Sequence, residues 1–317
     1  MTEKPHIALT AASSFTGYWI AEAFLRKGWR VSALYSGSVS DYRGVRKQRV
    51  LRLRGRCKQY FGIRAENGSM SKWIIAHSPQ IWIHHHHITK DLWAQNYNFS
   101  SSIAVGIAPL PALIRSLAES GCAGVVYSGS YLEPKQRGER KVLPYIRSKM
   151  MVWECLHRLC GEFDLPVSKI FIPNPVGPLE NESRLIPSLV SCARKHSDLK
   201  VMNPKTVIDQ YPVKDLAQIY LRVASALLQK NTMVVRPSGW VGSVAEWVEK
   251  VSRELVSEEL NLPRPEIVLR SSRASIKRRR SSRRQKLSNW SHVWSEMALD
   301  FAKEFSERKP IPKDSLT

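Results

Sequence analysis

Strand-like and helix-like runs alternate through roughly the first 130 residues, and no other feature of the sequence limits its fold so strongly. The strand-like runs are short and apolar, and they lie at residues 6–10, 30–35, 81–86, 123–128 and 168–172. The helical runs that alternate with them lie at residues 17–27, 111–120 and 145–158. Strands separated by helices at this spacing pair side by side as βαβ units. The sequence therefore predicts an α/β chain built on a parallel sheet.

The turn after the first strand reads TAASSFTG over residues 10–17 and leads into the first helix. In α/β sheets this turn is where a dinucleotide is held, because the helix N-terminus offers N–H groups to the pyrophosphate. Glycines in such turns let the backbone approach phosphate closely, yet only Gly17 is present here. The position of the turn favours dinucleotide binding, and a turn that no longer binds a dinucleotide is the alternative.

The pattern loosens beyond residue 175, where helical runs at 213–228, 243–255 and 290–305 accompany one more short strand at 233–236. This part has too few strands to form a core of its own. We therefore predict a dinucleotide-binding domain over residues 1–175 that takes back about 207–240. Residues 176–206 and 241–317 are predicted to form a small lid.

A tyrosine and a lysine stand four residues apart where a helical run begins, as Tyr145 and Lys149. Residues i and i+4 share a helix face, so the ammonium of Lys149 is expected to lie near the phenol and lower its pKa from about 10. A tyrosine with a lowered pKa can exchange a proton with a substrate hydroxyl or carbonyl. The strand before this helix ends in Ser128-Gly129-Ser130, which offers a hydroxyl to the same reacting oxygen.

Together with later segments, these residues resemble the extended short-chain dehydrogenase/reductase family, the NAD-dependent epimerase/dehydratase group. The sequence FIPNPVGP at residues 171–178 is similar to the family's Arg-x-x-Asn-x-Tyr-Gly-Pro segment, without its arginine. YPVKDLA at 211–217 looks like a helix start of the family, and LSNW at 287–290 is similar to a late Leu-Gly-Trp element. The resemblance implies a Rossmann-type, doubly wound parallel sheet with a small C-terminal substrate-binding lid.

The resemblance also assigns roles to individual residues. The catalytic centre would be Ser130, Tyr145 and Lys149, with Ser128 as the alternative serine. Cofactor binding is implied for Thr10, Ala11, Ser13, Ser14, Phe15, Thr16, Gly17, Tyr35, Ser36, His84, Tyr145, Lys149, Ile172 and Pro173. Substrate binding is implied for Asn174 and Arg270, with Arg273 or Arg278 as further candidates to meet a substrate diphosphate.

Two departures from the family pattern concern the cofactor. The family turn reads Thr-Gly-x-x-Gly-Phe-x-Gly, and here Ala11 and Ser14 replace the first two glycines. NAD-preferring relatives place an acid after the second strand, where this chain has Tyr35 and Ser36 followed by basic residues. We therefore expect NADP in preference to NAD.

Four consecutive histidines, residues 84–87, end the fourth strand-like run, and His84 falls on a histidine of the family. Neighbours on a strand point to opposite faces, so the four imidazoles cannot surround one metal ion well. We expect no metal site and a polar wall of the cofactor cleft instead.

The net charge of +22 is concentrated in two runs, residues 43–64 and 270–286, each with nine Lys or Arg and no acid. Such runs attract phosphate-bearing ligands or nucleic acid, although the scarcity of aromatic residues argues against base stacking. A solvated basic surface, with 270–286 as a loop, is the alternative.

The five cysteines are scattered and form no CxxC pair, which favours a reduced, cytoplasmic protein without a zinc module. The sequence shows neither a signal peptide nor a run of about 18 to 20 apolar residues that would span a membrane. A homodimer is compatible with these features.

The favoured function is an NAD(P)-dependent oxidoreductase or epimerase that acts on a nucleotide-activated sugar by hydride transfer. An NADPH-dependent reductase of a small ketone or aldehyde is a second hypothesis. A third is a non-catalytic relative that senses dinucleotide or binds nucleic acid.

Overall fold

A computed structural model of the chain describes residues 4–89, 96–134, 142–270, 283–284 and 289–307. Its strands are β1 His6–Thr10, β2 Arg30–Leu34, β3 Lys58–Tyr60, β4 Ile81–His84, β5 Gly124–Ser130, β6 Val167–Ile172, β7 Asn174–Val176, β8 Leu199–Met202, β9 Val207–Pro212, β10 Val234–Val235, β11 Pro237–Ser238, β12 Trp240–Ser243, β13 Ile267–Arg270 and β14 Arg283–Arg284. Its α-helices are α1 Phe15–Arg26, α2 Gly44–Arg52, α3 Ser69–His77, α4 Phe99–Gly106, α5 Leu110–Glu119, α6 Pro144–Glu162, α7 Leu185–Lys195, α8 Val213–Leu227, α9 Val244–Val251 and α10 Trp290–Glu307.

Seven parallel strands form the main sheet, in the order β10-β6-β5-β4-β1-β2-β3. Strand β1 lies between β2 and β4, and Ile7 faces Val31 on one side and Ile81 on the other. The chain therefore winds outward from β1 in both directions, and the crevice at the carboxyl ends of β1 and β4 is where such sheets bind ligands. The predicted fold class, a Rossmann-type doubly wound parallel sheet, is confirmed.

Helices cover the sheet because its central strands are apolar on both faces. All five residues of β1 and all seven of β5 are buried. On one face, Trp82 of β4 and Val125 of β5 belong to a buried cluster with Leu113 of α5 and Leu156 of α6. A parallel sheet covered in this way reads as continuous apolar runs, which is why the sequence pattern identified these strands.

The α4 and α5 helices together, Phe99–Glu119, are long and apolar enough by length and composition to cross a membrane, although the sequence analysis found no such run. The segment is not one straight helix, because α4 ends at Gly106 and Pro109 precedes α5. Leu113 and Ile114 are buried in the core cluster of the sheet. These contacts are those of core helices of a folded domain.

The chain divides into two compact units, residues 1–175, 209–241 and 278–285, and residues 176–208, 242–277 and 286–317. The first unit contains the seven-stranded sheet and its helices. In the second, β8 and β13 pair in parallel, and α9 continues into a π-helical segment, Ser252–Glu259. The assignment of this second unit to substrate binding stays a prediction.

Several elements were not predicted from the sequence. Within the basic run 43–64, α2 and β3 form although few apolar residues mark them. Of the run 270–286, predicted as a loop, only Arg270 and Arg283–Arg284 lie within the described residues, and both belong to short strands. Arg273 and Arg278 lie outside the described residues.

Candidate active site

The turn between β1 and α1 keeps a compact shape although it has lost two glycines. Ser14 is the N-cap of α1, and its hydroxyl accepts a hydrogen bond from the Gly17 amide at 3.0 Å. The Ser14 amide in turn donates to the Ala11 carbonyl at 2.9 Å. Serine is a preferred N-cap residue, so this substitution stabilises the start of the helix. Phe15 and Thr16, the first residues of α1, are buried.

Glycine geometry persists at both ends of this turn. Ala11 has a φ of 54°, in the left-handed region that favours glycine. At Gly17, an added Cβ would lie 2.4 Å from the Ala11 carbonyl oxygen. The backbone therefore follows a path suited to glycine at residue 11, and residue 17 has room for glycine alone.

Thr10 connects this turn to the end of β4. Its buried hydroxyl donates to the Ile83 carbonyl at 3.1 Å and accepts from the amides of His85 and His86 at 2.8 and 3.0 Å. The carboxyl ends of the two strands are thereby held together at the point where the winding of the sheet reverses.

The end of β2 offers one of its two predicted cofactor residues to solvent. The Tyr35 ring is buried and stacks on Phe61 with centroids 4.8 Å apart, and burial raises the pKa of its phenol. Ser36 is exposed, and its carbonyl accepts from Nε of Arg64 at 2.8 Å. The Tyr35 side chain therefore belongs to the core, and Ser36 stands at the surface.

Two arginines of α2 reach the first turn, which the sequence pattern did not show. Nε of Arg46 donates to the Ser13 hydroxyl at 3.0 Å, and Nη1 of Arg49 donates to the Ser13 carbonyl at 3.2 Å. Arg49 is buried and lies over the Phe15 ring, whereas Arg46 is exposed and lies over the Tyr42 ring. The turn is thus bordered by cationic groups.

The catalytic tyrosine and lysine predicted from the sequence lie in the first turns of α6, with Pro144 as its first residue. The Lys149 ammonium is 5.9 Å from the centre of the Tyr145 ring and 5.4 Å from that of Tyr127. The Tyr127 hydroxyl donates to the Lys149 carbonyl at 2.8 Å. Because α6 follows β5, the pair lies at the carboxyl edge of the sheet, on the side where β5 ends in Ser130.

Burial dominates the electrostatics of this pair. It lowers the pKa of Lys149 to about 8, against the opposing effect of Glu133. It also raises the pKa of Tyr145. The expected lowering of the phenol pKa by Lys149 is therefore not found, because loss of hydration outweighs the nearby ammonium. Tyr145 is a protonated phenol at neutral pH.

Ser130 sits in a tight turn that the sequence analysis described only in part. Its hydroxyl accepts from the Leu132 amide at 3.2 Å, and its own amide donates to the Glu133 carboxylate at 2.8 Å. The other carboxylate oxygen of Glu133 accepts from the Lys169 ammonium at 2.6 Å, and both side chains of this ion pair are buried. The signal that could have revealed it was a lysine within the apolar strand β6.

The four histidines divide between two sides of the sheet, as strand alternation predicts. His84 lies beside His86, with ring centroids 4.3 Å apart, while His85 bonds Ser128 through Nδ1 at 2.7 Å. Burial lowers the pKa of all four, to about 3 in His85, 4 in His86 and 2 in His87. They are neutral imidazoles at neutral pH. Among the described residues, no group of three side chains is placed to hold a metal ion.

A hydroxyl network not foreseen from the sequence lies behind Tyr145. Nε2 of His87 bonds the Ser148 hydroxyl at 2.9 Å, and Ser102 of α4 contacts both groups at 3.2 Å. The Ser148 hydroxyl donates to the Tyr145 carbonyl at 2.8 Å. The rings of His87 and Tyr97 meet the Tyr145 ring edge-on, at 5.4 and 5.8 Å. The phenol is therefore held between two aromatic rings.

The remaining predicted residues fall in both compact units. Ile172 ends β6 and its carbonyl accepts from the Tyr131 amide at 3.0 Å; buried Pro173 follows, and Asn174 begins β7. Arg270 is an exposed residue at the end of β13, in the second unit, where it pairs with Met202.

The model of the NAD dependent epimerase/dehydratase family matches residues 7–235, which is more than half of the chain. A comparison with curated protein sequences gives no match. The family match includes β1 through β10 and therefore the whole seven-stranded sheet.

Solved structures with the same fold include nucleotide-sugar enzymes. UDP-glucose 4-epimerase from Thermotoga maritima, with UDP-glucose, has a TM-score of 0.71 at 13% identity over 94% of this chain and 99% of its own. UDP-glucose 4-epimerase from Brucella ovis, in complex with NAD, has a TM-score of 0.75 at 14% identity over 94% and 98%. The corresponding NAD complex from Thermus thermophilus has a TM-score of 0.68 at 15% identity over 93% and 98%. At these identities the likeness establishes the fold alone.

Proposed function

Because this chain belongs to the NAD dependent epimerase/dehydratase family, we propose that it is an NAD(P)-dependent enzyme that epimerises or reduces a nucleotide-activated sugar. The observation that carries this proposal is the Tyr145–Lys149 pair at the start of α6. It lies at the carboxyl edge of a Rossmann-type sheet, next in the chain to the strand that ends in Ser130.

The first turn fits a dinucleotide. Residue 17 has no Cβ, so the N-terminus of α1 can be approached closely, and the left-handed Ala11 keeps the turn tight. The ring nitrogens of His84 and His86 are buried without a hydrogen-bond partner among the described residues. A ligand with amide and ribose hydroxyl groups would satisfy such atoms, which are costly to bury alone.

When bound, the nicotinamide cofactor would supply hydride transfer to or from a sugar carbon. The chain's part is to manage the proton at the attached oxygen. Tyr145, protonated because burial raises its pKa, would donate its proton to a carbonyl oxygen as hydride arrives, and would accept one in the reverse direction.

Lys149 and Ser130 would support that step electrostatically. The Lys149 ammonium, held over the Tyr127 ring, stabilises negative charge as it develops on the Tyr145 oxygen. The Ser130 hydroxyl accepts from the Leu132 amide, which leaves its own proton for the substrate oxygen. The Ser130 amide is held by Glu133, so the hydroxyl is presented from a fixed turn.

We assign NADP as the preferred form of the cofactor. No carboxylate stands at Tyr35 or Ser36 to hold a ribose 2′-hydroxyl, and the nearest acid, Asp41, accepts from the Ser38 amide instead. The Arg46 guanidinium, beside Ser13 in the cofactor turn, could pair with a 2′-phosphate. The solved NAD complexes with this fold support a nicotinamide dinucleotide of either form.

The substrate class is proposed from the family and from the UDP-sugars named for structures of this fold. Asn174, which follows the catalytic sheet edge, and Arg270 of the second unit are the proposed substrate contacts. An arginine is suited to a diphosphate because its guanidinium donates paired hydrogen bonds.

Cofactor titration tests the proposal directly. The ten tryptophans provide a fluorescence signal, and we expect NADPH to quench it. The protein is then incubated with UDP-glucose and cofactor, and the sugar products are separated by chromatography. No quenching by NADH or NADPH at millimolar levels would rule out the enzyme, whereas quenching without turnover would reject this substrate alone.

The cofactor preference has its own test. Replacing Arg46 with Gln is expected to weaken NADPH binding about tenfold, equivalent to about 1.4 kcal/mol, and to leave NADH binding unchanged. Lys47→Gln is the matched control, because Lys47 is the next residue on α2 and is exposed. Equal losses for both cofactors, or for both variants, would remove Arg46 from the recognition of a 2′-phosphate.

A further inference from the structure

A dense basic surface covers the edge of the first unit where β3 is the outermost strand of the sheet. We call it the α2–β3 basic surface and define it by the eight exposed cations of residues 43–64, which are Arg43, Arg46, Lys47, Arg52, Arg54, Arg56, Lys58 and Arg64. The ninth cation of the run, Arg49, is buried beneath them. The surface therefore places six guanidinium and two ammonium groups on one helix, one turn and one short strand.

Acidic side chains neutralise little of this charge. Residues 43–64 contain no Asp or Glu. Arg56 forms an ion pair with Glu22 of α1. Lys47, Arg54 and Lys58 are exposed and make no side-chain hydrogen bond or ion pair with the described residues.

Another cationic region of the chain is built differently. In the π-helical segment, Lys250 and Arg253 both pair with Glu254 at 2.5 and 3.0 Å. Arg264 pairs with Glu249 at 3.1 Å. Cations that serve the fold are thus accompanied by carboxylates there, whereas those of the α2–β3 basic surface are not.

We propose that the α2–β3 basic surface binds the phosphate backbone of double-stranded nucleic acid. Helix α2 has nine residues and is therefore about 13 Å long, which matches about four successive phosphates of one strand. Guanidinium groups suit phosphate because they donate in pairs. Binding of this kind needs no base contacts and is independent of sequence.

Other reasons for the charge account for less of it. A lysine on an edge strand prevents strand pairing with other chains, which explains Lys58 but not the helix. Single-stranded nucleic acid is bound by stacking on aromatic rings, and α2 carries none. Insertion into a membrane needs apolar side chains, and Leu51, at 39% exposure, is the one large apolar residue of α2 that is exposed.

The proposal does not depend on the enzymatic function. Arg46 borders the cofactor turn, so it is left unchanged in the test. The variant Lys47→Gln, Arg54→Gln, Lys58→Gln removes three charges from the surface. The matched control Lys195→Gln, Lys200→Gln, Lys230→Gln removes three charges from exposed positions elsewhere in the chain.

Binding is measured by fluorescence anisotropy of a labelled duplex DNA of about 20 base pairs, titrated with the full chain between 50 and 200 mM salt. We expect the logarithm of the affinity to fall with the logarithm of salt at a slope of about −4. The surface variant should bind at least tenfold more weakly with a slope shallower by about 2 or more, while the control variant and NADPH quenching change little.

Three outcomes would overturn the proposal. One is no binding of the duplex by the unaltered chain at 50 mM salt. Another is an equal loss in the surface and control variants, which would show a net-charge effect. The third is tighter binding to vesicles of anionic lipid, or to oligo-dT of equal length, than to the duplex.

Discussion

The turn after β1 and the start of α6 serve the same crevice, and they depart from the family pattern in opposite ways. The turn has changed its residues, since alanine and serine stand where the family has glycine, yet Ala11 keeps a left-handed backbone. The helix start has kept its tyrosine and lysine, yet their surroundings are unusual, with buried imidazoles and a buried ion pair beside them. Backbone path can persist through substitution, while retained residues can acquire different electrostatics.

The comparison has a consequence for the chemistry. The turn is bordered by cations and remains suited to a dinucleotide, whereas the phenol of Tyr145 has a raised pKa because it is buried. Catalysis therefore depends on whether bound cofactor and substrate lower the energy of the phenolate. The predictions below separate the retained residues from their altered surroundings.

The largest expected effect is that of Tyr145→Phe, which removes the proposed acid and base. Turnover of a nucleotide sugar should fall by about 10² to 10⁴-fold, the usual contribution of a positioned proton donor. NADPH affinity, read by tryptophan quenching, should be unchanged. Turnover that persists at the original rate would exclude Tyr145 from the mechanism and would leave the helix start as a structural relic of the family.

Glu133→Gln tests the buried ion pair beside this centre. Lys169 would keep a buried charge without its partner, so the free energy of unfolding should fall by about 3 to 5 kcal/mol in a urea titration. The double variant Glu133→Leu, Lys169→Met should be considerably more stable than Glu133→Gln, because no charge is left unpaired. A loss below 1 kcal/mol in Glu133→Gln would show that the pair is not desolvated.

The imidazole cluster makes the fold sensitive to acid. The pKa values of His85, His86 and His87 in the folded chain, about 3, 4 and 2, lie below the unfolded value of about 6.5. Below pH 6.5 the unfolded chain binds more protons, so stability is present above that pH and falls as pH decreases. The three groups together should cost about 4 kcal/mol between pH 7.5 and 5.5.

Urea unfolding at both pH values measures this loss. Replacing His85 with Asn should reduce it by about 1.4 kcal/mol, the share of one histidine. His196→Asn is the control, because His196 is exposed at the end of α7 and should leave the pH dependence unchanged. A His85→Asn variant with the original pH dependence would mean that His85 is already protonated in the folded chain.

The smallest expected effect is at the turn itself. Ala11→Gly should stabilise the chain by about 0.5 to 1 kcal/mol, because relief of left-handed alanine outweighs the added flexibility of glycine. Gly17→Ala should destabilise it by about 1 to 3 kcal/mol, since the new Cβ would lie 2.4 Å from the Ala11 carbonyl oxygen. If Ala11→Gly were instead destabilising, residue 11 would not hold the left-handed conformation on which this comparison depends.

Much of the sheet could be predicted from the sequence because its signals are local. The prediction that β1, β2, β4, β5 and β6 are strands is confirmed, since each is an apolar run between helices. The fold class and the family are confirmed as well. Helix α2 was missed because its exposed face is basic and only Val50 is a buried apolar residue. The short strands after residue 175 were missed because two to four residues carry too little periodicity to be recognised.

Within the candidate site, the sequence by itself determined which groups can react, because Tyr145 and Lys149 are one helical turn apart whatever surrounds them. It also determined that neighbouring histidines point to opposite faces of a strand. Only the tertiary structure decided the charge states, because the pKa of a group depends on burial and on partners distant in the chain. Glu133 and Lys169, 36 residues apart, form one ion pair, and His87 reaches Ser148 across 61 residues. Those contacts made Tyr145 a protonated phenol instead of the phenolate that its neighbour alone would favour.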